Sequence, residues 1–228
     1  MLSSCAIVEN GKIRKKLLIL ISSQTDHRLP IGLYDSIVQV DCAVELGRDD
    51  PTLDVPWEDP EGSHRYFDLK RYPELLREVP EAVQYPELRE FLTAVNSPAC
   101  FVETAKSDVW STTEMNTEED IFEAAYKFGS YVDLLFDDGS LRSSFEAHER
   151  FTRDLAQLLK KAPEIPASAE FLIRRCYYRS ETAVSDAFFI TFYLFGYADS
   201  EDHARKQWAI ALKLVENAIR QTSTKAKP

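Results

Sequence analysis

Residues 187–197, AFFITFYLFGY, decide the fold that the sequence predicts. Aromatic and aliphatic side chains occupy both of the alternating faces that a strand presents. Such a segment is expected to be buried on both sides. Helices should cover one side, while the other must contact a second sheet, a partner subunit or an apolar ligand. Among these three we favour a homodimer, provided that the two halves of the chain do not share one core.

The preceding stretch, residues 170–179 with the sequence EFLIRRCYYR, predicts a neighbouring strand rich in arginine and tyrosine. Arg175, Tyr177 and Arg179 fall on one face of this strand, and Arg174 falls on the other. Two arginines that flank a tyrosine can bind a phosphate or a carboxylate in bidentate fashion. They can equally pair with carboxylates on adjacent strands. We favour internal pairing or a protein interface, because Arg and Tyr are enriched in interface cores.

Residues 37–46, IVQVDCAVEL, alternate in polarity and predict a third strand. Asp41 and Glu45 share one face of it, while Glu103 and Asp108 lie in or beside the next extended segment. Paired carboxylates can bind a divalent metal ion or act as general acid and base. Their spacing matches no HExxH or DxD motif, so we predict no metal site. We expect these side chains to face water or to pair with arginines.

Residues 48–65 contain three prolines and predict a long surface loop. Trp57, in the middle of the loop, is expected to anchor it to the body of the protein. In the alternative interpretation, the loop and Trp57 form a lid over a site. Further along the chain, Lys106 lies among hydroxyl side chains and close to Asp108, where a lysine–aspartate pair could hold a small polar ligand. In the alternative interpretation, this segment is the end of a strand that turns into a loop and binds no ligand.

Helical periodicity and proline positions complete the pattern of elements. The predicted helices cover 72–95 (broken by prolines), 117–128, 144–161 and 200–221, and the remaining extended segments cover 100–112 and 131–136. Each half of the chain then has the order β-α-β-β-α, which resembles the core of a ferredoxin-like unit. The sequence therefore predicts an α+β fold, with an antiparallel or mixed sheet covered by helices.

The chain divides into four predicted segments. They are an N-terminal extension with a short strand (1–36), a first α+β half (37–129), a second α+β half (130–222) and a frayed tail (223–228). An internal duplication explains the repeated order of elements, and a single merged domain explains it equally well. Residue identity between the halves is slight.

Composition narrows the classes of function. The 228 residues carry a net charge of −11, which disfavours general binding to nucleic acid or to anionic membranes. The four cysteines are far apart, so we expect free thiols and a cytoplasmic location. The apolar run at 17–21 is too short for a secretory signal or a membrane span. Seven glycines form no phosphate-binding loop, and we predict no cofactor.

These observations favour a non-enzymatic binding or protein-interaction module that forms a homodimer. The alternative is a small-molecule enzyme with a carboxylate-lined site near Asp41, Glu45, Glu103 and Asp108. The sequence does not choose between an enzyme and a binding protein.

Overall fold

The chain folds into a mixed α+β structure. The computed structural model describes residues 5–9, 12–16, 39–62, 64–117, 119–163, 165–180 and 183–226. The strands are β1 (Cys5–Glu9), β2 (Lys12–Lys16), β3 (Gln39–Glu45), β4 (Leu53–Val55), β5 (Val102–Thr112), β6 (Tyr126–Phe136), β7 (Ala167–Arg179) and β8 (Val184–Ala198). The helices are α1 (Pro80–Gln84), α2 (Pro86–Val95), α3 (Gly139–Arg142), α4 (Phe145–Leu159) and α5 (Glu201–Ala226), with 3-10 turns at Pro73–Glu78 and Glu119–Phe122.

One continuous sheet contains strands from both halves of the chain. Its order is β1-β2-β3-β7-β8-β6-β5, and β4 pairs with β7 beyond the end of β3. The pairs β3–β7 and β4–β7 are parallel, and the other pairs are antiparallel. The mixed sheet of the predicted fold class is thus confirmed. Duplication of the two halves stays a prediction.

The main core lies between one face of the sheet and helices α2, α4 and α5. Alternate residues of β8 point into this core, among them Ile190, Phe192 and Leu194. Trp208 of α5 is fully buried there, and its Nε1 donates a hydrogen bond to the Ser130 Oγ at 2.8 Å. Burial of the apolar stripes of the helices against these strands supplies most of the stability of such a fold.

Local signals start the helices where the sequence predicts them. Pro80 and Pro86 each occupy the first turn of a short helix, where the missing amide hydrogen has no partner to lose. The Ser144 Oγ accepts a hydrogen bond from the Ala147 amide and so caps α4. The short helices within 72–95 and the long helices after 144 and 200 are therefore confirmed.

The predicted helix at 117–128 is wrong. The chain forms a single 3-10 turn, Glu119–Phe122, and then enters β6 at Tyr126. Strand β6 pairs with β5 on one side and β8 on the other, and this pairing outweighs the local helical propensity. The run of acidic residues at the start of the predicted helix instead includes Glu119, whose carboxylate binds the Lys127 Nζ at 2.8 Å.

Two further segments differ from the predicted pattern, and a third cannot be compared. The proline-containing loop includes the short strand β4. Val55, the last residue of β4, is joined to Pro56 by a cis peptide bond. Helix α5 continues through Ala226, and the buried Ser223 hydroxyl donates a hydrogen bond to the Ile219 carbonyl, in the region predicted as a frayed tail. The apolar run at 17–21 lies outside the described residues, although β1 and β2 form a hairpin before it.

Gly196 controls how closely α5 packs on β8. A Cβ atom at this position would overlap the backbone nitrogen of Trp208 and the carbonyl oxygen of Ala204. These are helix backbone atoms, so they cannot move aside as the end of a flexible side chain can. We therefore expect Gly196→Ala to lower the free energy of unfolding by roughly 3 kcal/mol, measured by urea denaturation.

Gly139→Ala is the matched control for this substitution. A Cβ atom at Gly139 meets nothing within 4 Å, and the residue lies in helix α3. The free energy of unfolding of this variant should stay within about 0.5 kcal/mol of the original or rise slightly. Equal stability of the two variants would contradict the tight helix–sheet contact at Gly196.

Candidate functional site

The face of the sheet opposite the main core carries polar and aromatic side chains. In the middle of this face a row of polar groups crosses four adjacent strands. The Arg174 Nε and Nη2 contact the Glu45 Oε2 at 2.9 and 2.8 Å, and the Arg174 Nη1 donates to the Thr191 Oγ1 at 3.0 Å. Thr191 in turn donates to the Asp133 Oδ1 at 2.6 Å.

The polar row satisfies its own charges. Asp133 is buried, and burial raises its pKa to about 6, although the hydrogen bond from Thr191 and the charge of Arg174 act in the opposite direction. Glu45 lies directly opposite Arg174 in the parallel pair β3–β7, so the sheet register brings them together. The row therefore stabilises the sheet and leaves Arg174 without a free guanidinium edge for an external anion.

A second, smaller core covers one end of the same face. It contains Val55 of β4 and side chains of strands β5 to β8, namely Ala105, Leu135, Cys176, Ala187 and Phe189. Next to it the Glu103 Oε1 lies 3.6 Å from the Arg142 Nη2 and accepts no hydrogen bond within the described residues. Arg142 instead donates to the carbonyls of Phe136 and Asp137 and lies 3.6 Å above the Tyr178 ring.

Glu103 is consequently a poorly paired buried acid. Burial raises its pKa to about 7, and Arg142 offsets only part of this effect. Asp68 raises the pKa further. Glu103 can therefore bind or release a proton near neutral pH.

Side chains cover the outer edge of β5, which lies at the end of the sheet. Lys70 donates to the Val102 carbonyl at 3.0 Å, and the Thr104 amide donates to the Asn96 Oδ1 at 3.0 Å. The Trp57 Nε1 donates to the Ala105 carbonyl at 2.8 Å. Trp57 thus attaches the proline-containing loop to this edge, which protects the backbone groups that an edge strand would otherwise expose.

The Trp57 pocket opens where this loop meets β5. We give this name to a cavity of about 450 Å³ between the loop, the turn before α1 and the strand edge. Its charged lining consists of Asp59, His64, Arg65, Glu78, Glu81, Lys106 and Asp108, and its apolar lining includes Trp57, Phe67, Leu69, Val79, Pro80 and Leu92. The Lys106 Nζ lies 5.0 Å from the centre of the Trp57 ring, in a cation–π contact.

Tyr131 joins the pocket to the open sheet face. It lines the Trp57 pocket, and its ring lies 6.4 Å from that of Trp110 and 5.9 Å from that of Tyr193. Burial, together with the carboxylates of Asp133, Asp108 and Glu81, raises the pKa of Tyr131. The phenol is therefore protonated at neutral pH and available as a hydrogen-bond donor.

An aromatic patch continues from Tyr131 across the sheet. We define it as Trp110, Tyr131, Tyr193 and Phe195, which are all half-buried. The Trp110 and Phe195 rings meet edge to face at 5.9 Å. The patch spans β5, β6 and β8, between the end of this face that β4 covers and the end where Phe122 stacks on Tyr197.

The structure brings together three of the residues that the sequence singles out, Trp57, Lys106 and Asp108. Asp41 and Glu45 do not belong to this group, because β7, β8 and β6 separate β3 from β5. Four strand spacings of about 4.8 Å place them roughly 19 Å away.

The other candidate residues lie in separate places. Glu103 lies beside the small core and contacts Arg142, and Arg174 belongs to the polar row. Arg179 forms an exposed ion pair with Asp54 at 3.0 Å, and Arg175 and Tyr177 are exposed on β7. In the structure, Arg174 thus pairs with an acid of β3 and Arg179 with an acid of β4, and whether the cluster also serves an interface stays a prediction.

Sequence reasoning missed Glu81 and Tyr131 as pocket residues. Glu81 lies in the first turn of α1, where an acidic residue is ordinary, and nothing local connects it to β5. The sequence could have indicated Tyr131. On a strand, Tyr131 and Asp133 share one face and Val132 lies on the other, so Tyr131 lies on the polar face.

Cys42, Cys100 and Cys176 carry free thiols. Cys100 and Cys176 are buried, and Cys42 is half-buried. Burial raises the pKa of Cys42 to about 11 and that of Cys176 to about 12. Both thiols are therefore protonated at neutral pH and poor nucleophiles.

Comparisons with protein-family models, with curated proteins and with solved structures find no significant match, so function has to be inferred from geometry. Within the described ranges, no group of three or more His, Cys, Asp or Glu side chains is arranged to hold a metal ion. Across the same part of the chain, none of the helices combines the length and the apolar character that a bilayer crossing needs.

Glu103 should make stability depend on pH. Its pKa in the folded state is about 7 against an ordinary value of 4.5, so the folded state binds the proton more tightly. The corresponding stabilisation is fully present below the ordinary value and is lost as the pH rises through the folded value, with a change of about 3 kcal/mol. We expect Glu103→Gln to remove this loss, so that the variant gains stability relative to the original between about pH 5 and about pH 8.

Urea denaturation across this pH range measures the effect. Glu90→Gln is the control, because Glu90 is exposed and its variant should follow the pH profile of the original chain. Parallel pH profiles for Glu103→Gln and the original chain would show that Glu103 does not change its protonation on folding.

Proposed function

We propose that this chain is a binding protein for a small organic ammonium ion, which it holds in the Trp57 pocket. The observation that carries the proposal is the position of the Lys106 ammonium over the Trp57 indole in a carboxylate-lined cavity. The lysine side chain is exposed, yet it lies on the ring face where a cation is attracted to the π electrons. A ligand ammonium can take the same place.

The charge of the pocket supports a cationic ligand. Four carboxylates line it against two permanently cationic side chains, Arg65 and Lys106. Arg65 lies over the Phe67 ring at 5.4 Å, and His64 contacts Asp59 at 3.1 Å. Within the described residues, Glu81 and Asp108 form no ion pair and remain available to a ligand cation.

The size and apolar walls of the pocket favour an amine that carries a hydrophobic group. Its volume of about 450 Å³ falls within the range of roughly 300–1,000 Å³ that small-molecule sites occupy. Val79, Pro80 and Leu92 line it beside the ionisable groups. An aromatic or branched amine satisfies both parts of such a lining.

Binding is better supported than catalysis. The enzyme hypothesis depends on Asp41, Glu45, Glu103 and Asp108 acting together, and these four carboxylates lie in three separate places. Acid–base catalysis requires its groups within hydrogen-bond reach of one reacting centre. The Trp57 pocket offers recognition groups for a cation, and these are sufficient for binding.

We expect phenethylammonium to bind and its neutral analogue 2-phenylethanol to bind at least about tenfold more weakly, because only the former carries a charge. The combined Glu81→Gln and Asp108→Asn variant should lose about tenfold in affinity for the ammonium ion. Lys106→Ala should gain affinity, since it removes the internal cation from the indole. Isothermal titration calorimetry measures all three.

Glu90→Gln combined with Asp199→Asn is the matched control, because it removes the same charge from two exposed positions outside the pocket. Its affinity for phenethylammonium should equal that of the original chain. Equal binding of the alcohol and the ammonium ion, or no binding of either, would refute the proposed function.

The aromatic patch favours a second copy of the chain as a protein partner. Half-buried aromatic rings that follow one sheet face can pack against the same patch of another copy across a two-fold axis. Aromatic residues of this kind contribute strongly to interface cores. The homodimer that β8 predicts from sequence would therefore use Trp110, Tyr193 and Phe195.

Light scattering at micromolar concentration should give twice the chain mass of 26.1 kDa. Phe195→Glu should reduce the mass to that of one chain, because it places an unpaired charge in the interface. Val184→Glu, at an exposed position near the start of β8, should leave the dimer intact. A single-chain mass for the original protein would contradict the homodimer, and circular dichroism checks that both variants fold.

A further inference from the structure

A second cavity lies on the helical side of the molecule, beside α4. Its volume is about 370 Å³, and it shares no lining residue with the Trp57 pocket. The walls come from α4, from Phe101 and Phe136 at the end of the sheet, and from Leu141 of α3. Thr222 of α5 closes one side. We call this cavity the α4 pocket.

Three phenylalanine rings form the apolar end of the α4 pocket. Phe101 stacks on Phe136 at 5.4 Å and meets Phe151 edge to face at 5.3 Å, and Phe136 lies 5.5 Å from Phe151. Leu141 also lines the cavity and is 37% exposed, so it adds apolar surface that solvent can reach. The pocket thus presents a sizeable apolar surface to any molecule that enters it.

The mouth of the α4 pocket is cationic, in contrast to the chain as a whole. Arg150 and Lys161 line it and are exposed, and among the described residues the only carboxylate in the lining is Asp154. In the described part of the chain neither cation forms an ion pair. A net positive opening is notable in a chain whose net charge is −11.

We propose that the α4 pocket binds a fatty acid. The phenylalanine cluster takes the alkyl chain, whose burial provides the favourable free energy. The Arg150 guanidinium and the Lys161 ammonium bind the carboxylate at the mouth, where the head group stays in contact with water. A fatty acid has an apolar tail that suits the phenylalanine cluster and a single anionic head that suits the two cations.

This site is independent of the proposed ammonium site, because the two pockets share no residue and attract opposite charges. Dodecanoate is the probe, studied below its micellar concentration by isothermal titration calorimetry. Dodecanol and dodecylammonium have the same chain with a neutral and a cationic head. We expect dodecanoate to bind about tenfold more tightly than dodecanol and dodecylammonium to bind most weakly.

Two variants test the two ends of the pocket. Arg150→Glu combined with Lys161→Glu reverses the charge at the mouth at exposed positions, and it should weaken dodecanoate binding about tenfold without changing dodecanol binding. Ala147→Phe places a ring in the cavity and should abolish binding of both. Because Ala147 is partly buried, thermal unfolding must show that this variant folds.

Arg153→Glu combined with Lys160→Glu is the matched control. These residues are the close sequence neighbours of the mouth residues, they are exposed, and they do not line the cavity. This control and Trp57→Phe should both bind dodecanoate as the original chain does.

Several results would overturn the proposal. They are the absence of dodecanoate binding, equal weakening by the mouth variant and its control, or dodecylammonium binding as tightly as dodecanoate. A dimer that Ala147→Phe dissociates would also overturn it, because the cavity would then be a protein interface. Failure of phenethylammonium to bind would leave this proposal intact, so the two functions are tested separately.

Discussion

Strand β8 is the element on which the rest of the structure depends, because it is apolar on both faces and pairs on both edges. It has β7 on one side and β6 on the other, and its two faces need two different covers. On one face the cover consists of α2, α4 and α5, and Gly196 lets the backbone of α5 approach the sheet more closely than any side chain would permit. On the other face, β4 and the proline-containing loop cover the end around Phe189, and the 3-10 turn Glu119–Phe122 covers Tyr197 at the opposite end. The incomplete cover leaves room for both the aromatic patch and the Trp57 pocket.

The register of the sheet determines which charged side chains on this second face can pair with one another. A charged residue on a central strand can be satisfied only by what its neighbouring strands bring opposite to it, since water is largely excluded. The polar row achieves this, because Glu45 lies directly opposite Arg174 and Asp133 directly opposite Thr191, while Arg174 reaches Thr191 diagonally across β7 and β8. Glu103 has Arg142 at 3.6 Å, and burial raises its pKa as it also raises the pKa of Asp133. The two buried acids differ in their hydrogen bonds, because the Asp133 Oδ1 accepts one from Thr191 and the Glu103 Oε1 accepts none within the described residues.

The two cavities combine apolar walls with charged groups in the same way, but the charges are opposite. In each, an aromatic and aliphatic wall provides area for burial, and ionisable groups at the opening set which charge can enter. In the part of the chain that the structure describes, Glu81 and Asp108 of the Trp57 pocket form no ion pair and lie near an indole, while Arg150 and Lys161 of the α4 pocket form none and lie near a phenylalanine cluster. The strong net negative charge of the chain explains neither arrangement by itself. What matters is which charges remain unpaired after folding.

The sequence by itself determined the elements whose pattern is local. Alternation along 37–46, the double-sided run at 187–197 and the proline positions within 72–95 predict strands and short helices correctly, because periodicity and the missing proline amide act within a few residues. It also indicated Trp57 as the anchor of its loop and the pairing of strand arginines with acids. Only the tertiary structure decided that 126–136 is one long strand, since pairing with β5 and β8 outweighs the helical signals there. It also decided which carboxylates meet: the strand order separates Asp41 and Glu45 from Asp108, and it brings Glu81 and Tyr131 to Trp57. These outcomes depend on the order and register of strands far apart in the chain, and local periodicity carries no information about either.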